Sequence, residues 1–298
     1  MTAPIRRVVI HADDLGMSHG ANMAFAELCA FGTCTSGSVM VPCPWFVELA
    51  AMAGAAPALD IGVHLTLTSE MSGYRWRPLT RPPASAGLTD ADGFFHPDTA
   101  TVRARADREA VRVELEAQID QALAAGIDVT HLDDHMGAVL APEFLDITVD
   151  IACRRRLPLV LCPSLSDYGG PHNMVGADDD RFRRGIARAA AQGLRVFDRI
   201  VETDWSRTGA AEPIYRAMIA GLGEGTSFLA LHFTRPGDIE AIDPEGYRLR
   251  TEEHALFSSP EFRAFLRDGG VQGMEFVGMR QFREELRQNG RQHAGQGV

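Results

Sequence analysis

Two carboxylates stand side by side at the end of an apolar run, Arg7-Val8-Val9-Ile10-His11-Ala12-Asp13-Asp14-Leu15-Gly16. Neighbouring residues of an extended strand point to opposite faces, so at its exit one acid can hold a metal while the other handles a proton. Two later segments place histidines in similar settings, His64 in Gly62-Val63-His64-Leu65-Thr66-Leu67 and His135 in His131-Leu132-Asp133-Asp134-His135. Asp14, His64 and His135 together would make a three-ligand site with open positions, the pattern of a catalytic rather than a structural ion. Mixed nitrogen and oxygen donors suit zinc best, and magnesium, manganese and iron(II) stay open. Such a cation polarises a carbonyl and lowers the pKa of bound water. Asp133, with Asp134 as second choice, is placed to take the other ring nitrogen of a ligand histidine.

Each residue also has a plain structural reading. An acid pair after a strand can cap the helix that follows, here from about Ser18. A lone histidine in an apolar strand can be a core ring with its nitrogens bonded. The run from His131 to His135 resists that reading, because it crowds four titratable side chains into five residues and unpaired buried charge is costly.

Short apolar runs near 7–11, 36–41, 61–67, 129–133, 158–162, 196–202, 227–233 and 272–277 alternate with helical patterns. One helix starts at Asp107 as N-cap, carries Val111, Leu115, Ile119 and Leu123 on one stripe and stops at Gly126; others cover about 142–155 and 278–288. Repeated β-then-α units imply a parallel sheet with helices outside. Seven to eight mainly parallel strands predict an α/β fold, a deformed, TIM-barrel-like (β/α) barrel, with an open doubly wound sheet as the alternative. Asp13 and Asp14 close the first strand, His64 lies in the third, His135 follows the fourth, and His232 is near the end of the seventh. In α/β barrels that rim is where chemistry is assembled.

The reading is one barrel domain over 1–287 with a long rim loop at 69–105, and a disordered tail at 288–298. The loop's Tyr74, Trp76, Phe94 and Phe95 either stack on a sugar ring or form a small loop core. A charge of −11 with no basic stripe argues against nucleic acid. The five cysteines contain no CxxC pair, which fits small buried hydrophobes in a reduced compartment. No leader-like segment opens the chain, and no stretch reaches the ~18 apolar residues of a membrane span. The expectation is a soluble cytoplasmic protein with no membrane partner; a homo-oligomer stays open.

The segments His11-Ala12-Asp13-Asp14-Leu15-Gly16, Ser36-Gly37-Ser38-Val39-Met40-Val41, Gly62 to Leu67 and Thr130 to His135 resemble the YdjC-type carbohydrate deacetylases. That group includes chitooligosaccharide and hopanoid-pathway deacetylases. The similarity runs nearly end to end and includes Tyr247 to Glu253 and Leu256 to Glu261. The resemblance implies a deformed barrel and metal-dependent removal of an acetyl group from an N-acetylated sugar. It implies one divalent ion, zinc or magnesium, on Asp14, His64 and His135, with Asp13 as catalytic base. His232, in Leu229-Ala230-Leu231-His232-Phe233-Thr234-Arg235-Pro236-Gly237, would be the general acid. The chain departs from the family pattern at three places. His11 stands where the family commonly has Asn, Gly137 where it often has a second histidine, and Phe233, Thr234 and Arg235 interrupt its His-Pro-Gly. Competing readings are a metal hydrolase of phosphoesters or cyclic amides, and a non-catalytic sugar-binding protein on the same fold. A metal-free glycosidase is disfavoured, since adjacent acids lack the ~5–9.5 Å opposed geometry of that chemistry.

Overall fold

The computed structural model describes residues 6–167, 171–268 and 273–295. Its strands are β1 (Arg6–Leu15), β2 (Ser36–Val39), β3 (Ile61–Leu65), β4 (Val129–Asp134), β5 (Arg199–Glu202), β6 (Gly225–Leu231) and β7 (Met274–Phe276). All pairings are parallel, in the order β4-β3-β2-β1-β6-β5. From Val8 onward every residue of β1 is buried, as a strand covered on both faces must be. One edge of β1 pairs with β6 along Arg6–Ala12. The other edge is shared, with β7 on Arg6–Val8 and β2 from His11 onward. β7 is therefore a short wedge under β2 rather than a full stave.

The sheet closes. Leu132 N donates to Pro158 O at 2.8 Å, Val160 N to Leu132 O at 3.0 Å, and Phe197 N to Leu161 O at 2.8 Å. The apolar run at 158–162 thus bridges β4 to the chain entering β5, through a few bonds rather than a long ladder. An open sheet would leave those edges unpaired, so the barrel alternative is the one the chain adopts, and its closure is where it is deformed.

The helices are α1 (His19–Phe31), α2 (Phe46–Ala55), α3 (Thr99–Arg105), α4 (Arg108–Ala124), α5 (Leu145–Arg155), α6 (Asp179–Ala191), α7 (Ala211–Ala220), α8 (Ile239–Ile242), α9 (Tyr247–Phe257), α10 (Pro260–Asp268) and α11 (Met279–Gly295). Ser18 caps α1 by accepting from Ala21 N, which leaves the Asp13-Asp14 pair free of that duty. Asp107 caps α4 through Glu109 N and Ala110 N. Val111, Leu115 and Ile119 are buried below it, but Leu123 is exposed and Ala122 takes the inward place. A 3.6-residue period drifts off a strict four-residue stripe by that point.

The rim loop is more ordered than its sequence suggested. Its last seven residues form α3, capped by Asp98. Trp76 Nε1 donates to Thr68 O at 2.7 Å, Phe95 is fully buried, and Tyr74 Oη donates to Met17 O at 2.6 Å. The Arg75 and Arg77 guanidinium groups lie 4.8 and 4.0 Å from the Phe94 ring centroid. Trp76 and Phe95 therefore build the loop's own core, Tyr74 ties the loop to the turn after β1, and Phe94 packs under two guanidinium groups. Glu114 of α4, fully buried, anchors the loop by accepting from Leu79 N, Thr80 N and Thr80 Oγ1.

At the other end, α11 continues to Gly295 through the stretch read as a tail from residue 288; Arg287, Gln288, Arg291 and Gln292 are strong helix formers, and 296–298 lie outside the described residues. All five cysteines are free thiols. Among the described residues no helix is long and apolar enough to cross a membrane.

Candidate metal centre and active site

β1 delivers two acids to one cavity by kinking at its exit. The β1–β2 register shifts between Ala12 and Leu15, and Asp14 takes φ 60, in the left-handed region. Simple strand alternation would have sent Asp13 and Asp14 to opposite faces. The irregularity re-aims the chain, and both side chains line a cavity of about 620 Å³.

Asp14 Oδ1 lies 3.4 Å from His64 Nε2 and 3.3 Å from His135 Nδ1. That oxygen is buried and has no hydrogen-bond partner among the described residues. Ligands 2.0–2.1 Å from a tetrahedral ion are about 3.3 Å apart, so this donor set fits a divalent cation. The second ring nitrogens are held as such a site requires. His64 Nδ1 meets Asp133 Oδ2 at 3.0 Å, and His135 Nε2 meets Glu70 Oε2 at 3.0 Å. Asp133 was visible in the sequence. Glu70 was not, since it sits in the rim loop 65 residues from its partner. Asp134 instead accepts from Val139 N at 3.0 Å and supports the turn after β4; burial pushes its carboxyl up to about 8.

The electrostatics ask for positive charge at this point. Burial opposes ionisation of Asp14, but Arg250, His135 and His64 overcome it and hold its carboxyl well below the usual range. Burial likewise opposes a charged His135, yet Glu70 and Asp14 push it up to about 9. His64 is raised well above its ordinary value against the same burial, chiefly by Asp133 and also by Asp14. With no ion bound, protons on the imidazoles balance the acids.

Asp13 has different surroundings. Its Oδ1 lies 2.6 Å from His11 Nδ1, and its Oδ2 lies 3.9 Å from His232 Nε2. Burial, with Asp133 and Asp14 nearby, raises its carboxyl well above the ordinary value, against the pull of His64 and His135. His232 follows the end of β6. Its Nδ1 is 2.8 Å from Thr203 Oγ1, which donates to Glu253 Oε1 at 2.7 Å, and its Nε2 is 3.8 Å from Asp14 Oδ2. Burial pushes His232 down to about 3, helped by the charge on Arg250.

Arg250, from α9, is the second residue that sequence reasoning missed as part of the site. It is 3% exposed, donates from Nη1 to Asp14 Oδ2 at 2.7 Å and from Nε to Asp243 Oδ2 at 2.9 Å, and its guanidinium lies 4.9 Å from the Trp205 ring centroid. It fixes one Asp14 oxygen and leaves the other for a cation. Its only signal was its place within the Tyr247 to Glu253 stretch. The five residues singled out from sequence, Asp13, Asp14, His64, His135 and His232, all line the same cavity.

A family model described as YdjC-like protein matches residues 7–268. A carbohydrate deacetylase of Thermus thermophilus is 40% identical over 266 residues, covering 88% of this chain and 89% of its own length. A carbohydrate deacetylase of Thermoanaerobacter pseudethanolicus is 24% identical over 268 residues, covering 90% of this chain and 96% of its own. A crystal structure from Enterococcus faecalis V583, named as a candidate cellobiose-phosphate cleavage protein, superposes with TM-score 0.74 at 20% identity over 93% of this chain and 99% of that one. That likeness speaks to the fold alone. The family model spans most of the sequence and the Thermus relative matches nearly from end to end, so the chain belongs to the YdjC-like family.

Proposed function

We propose that this protein, acting as one barrel domain, is a metal-dependent deacetylase that hydrolyses the N-acetyl group of an amino sugar or oligosaccharide to amine and acetate. One divalent cation, zinc or magnesium, would be held by Asp14, His64 and His135. The observation that carries the reading is the orphaned, buried Asp14 Oδ1 facing two imidazole nitrogens, with the second carboxylate of Asp13 beside it. The names of the Thermus and Thermoanaerobacter relatives, carbohydrate deacetylases, support an acetylated carbohydrate as substrate.

When bound, a cation at this site supplies Lewis-acid polarisation of the acetyl carbonyl and makes water a better nucleophile. Asp13 takes a proton from the attacking water. His232 delivers a proton to the departing nitrogen; positioned acid–base groups of this kind contribute about 10²–10⁴-fold. Because burial keeps His232 neutral at rest, the proton it gives must be gained during turnover. Asp13 Oδ2, 3.9 Å away, is close enough to supply it through the substrate or a small shift. The ledger balances: one proton leaves water, passes from Asp13 through His232, and ends on the amine.

The cavity argues against a phosphoester. Asp13, Asp14, Glu70, Glu202, Asp243 and Glu245 line it, whereas Arg250 is already committed to Asp14 and Asp243. A phosphate would therefore find the bound cation as its main counter-charge, with carboxylates around it and no free guanidinium among the lining residues to share the load. The reading is tested by offering metal-loaded protein N-acetylglucosamine oligomers, a phosphomonoester and a cyclic amide side by side. Acetate release from the oligomers alone is the expected outcome. Turnover of either other class without acetate release would replace the proposal.

A further inference from the structure

Behind Asp13 lies a row of polar side chains that the proposed reaction leaves unused. Asp13 Oδ1 meets His11 Nδ1 at 2.6 Å, and His11 Nε2 meets His131 Nε2 at 2.9 Å. His131 Nδ1 lies 2.9 Å from Thr130 Oγ1, which donates to Asp60 Oδ1 at 2.5 Å. Asp60 Oδ2 in turn accepts from Arg280 N at 2.7 Å, at the start of α11. His11, Thr130 and His131 are fully buried, and neither imidazole lines the cavity.

A buried imidazole is costly unless its nitrogens are bonded, and this barrel accommodates two of them in contact. The space is specific. A Cβ at Gly62 would lie 2.6 Å from the His131 ring, so the glycine of β3 is the notch in which that ring sits. The Phe228 ring closes on His11 at 4.7 Å between centroids.

We propose that His11 and His131 are positioning residues for Asp13: the imidazole pair, anchored through Thr130 on Asp60, clamps one oxygen of the carboxylate so that the other faces His232 and the cavity. The inference rests on the reading of Asp13 as the base. The terminal torsion of an aspartate is broad, and Asp13 adjoins the kink at Asp14, so local backbone alone does not fix it. A misplacement of about 1 Å at a reacting group costs up to about 100-fold.

His11, His131 and Asp133 also fall close enough to suggest a second ion. The separations favour hydrogen bonds instead. The two Nε2 atoms are 2.9 Å apart, a hydrogen-bond length, and His11 Nε2 is 3.9 Å from Asp133 Oδ2, whereas ligands of one tetrahedral ion are about 3.3 Å apart.

The test has two arms on the full chain. In zinc-loaded protein labelled with 15N-histidine, a nitrogen–nitrogen coupling across the hydrogen bond should connect His11 to His131. In kinetics, His131→Phe should retain one zinc per chain and its KM while kcat falls roughly 10-fold, within the range misplacement allows. Thr130→Val should do the same more weakly, and His11→Asn, which keeps a hydrogen-bonding side chain near Asp13, should lose less than His11→Phe. Active wild-type protein with no coupling would overturn the pair. Coupling present with kcat unchanged in both His131→Phe and Thr130→Val would overturn the positioning role, and if His131→Phe does not fold, Thr130→Val and the coupling decide. Two zinc ions per chain would assign the imidazoles to a metal and overturn it as well. A coupled but inactive wild type would sink the deacetylase reading, and the role given to the pair with it.

Discussion

Asp14 sits at φ 60, where a residue with a side chain costs roughly 1–2 kcal/mol. The strain has a visible return, since it brings Asp14 onto the same cavity as Asp13 and within 3.4 Å of both histidines. The two acids then separate by role. Asp13→Asn should keep its metal and lose turnover by about 10²–10⁴-fold, with metal content by elemental analysis set against acetate release. His64→Ala and His135→Ala should lose the metal itself. Glu70→Gln leaves His135 in place but weakens the group that orients it, so metal affinity should fall about 10–100-fold, read by competition with a chromogenic chelator. Loading should also release protons. His64 is raised and His135 stands near 9 in the metal-free site, so both must shed protons to ligate, and affinity should rise with pH. Titration calorimetry in two buffers of different ionisation enthalpy would show it. The residues readable from sequence were those whose own strand ends announced them. Glu70 and Arg250 were not, because their partners lie 65 and 236 residues away and no local pattern reports such a pairing.

The elements that carry these residues were legible where a period or a cap marked them. Asp107 caps α4 as its position before the apolar stripe suggested. Apart from Asp98, the cap of α3, the loop at 69–105 has neither signal, only prolines, glycines and scattered aromatics. Its order comes from tertiary partners, among them Trp76 Nε1 on Thr68 O and the backbone of Leu79 and Thr80 on Glu114. Glu114→Ala would leave those partly buried donors without their acceptor, and stability should drop by about 1–3 kcal/mol, measured by urea unfolding. The site should suffer too, since the same loop carries Glu70 and sets the Trp76 ring 6.1 Å from that of His135. β7 was read as one more strand in the series. Its place as a wedge on the early half of β1 depends on a pairing across almost the whole chain, which apolar patterning cannot register.

At the level of the molecule, the alternation of strand and helix sufficed for a barrel, and ring closure through 158–162 shows why the named strands alone understate it. Burying an imidazole pair inside that barrel has a consequence for the whole fold. His11 and His131 are each pushed by burial from 6.5 down to about 4. The unfolded chain therefore takes up protons first as pH falls, and stability is lost between about pH 6.5 and 4. At about 1.36 kcal/mol per unit each is worth at most roughly 3 kcal/mol, and because they share a hydrogen bond the two do not add. Between pH 7 and 5 the urea midpoint should fall further in wild type than in His131→Phe. The central claim, an acid and two imidazoles gripping a cation that serves amide hydrolysis, is reached most directly by following acetate from N-acetylglucosamine oligomers through one cycle of chelation and zinc return. Acetate release that stops on chelation and resumes on reloading is the expected result. Release indifferent to the chelator, or none under any loading, would contradict it.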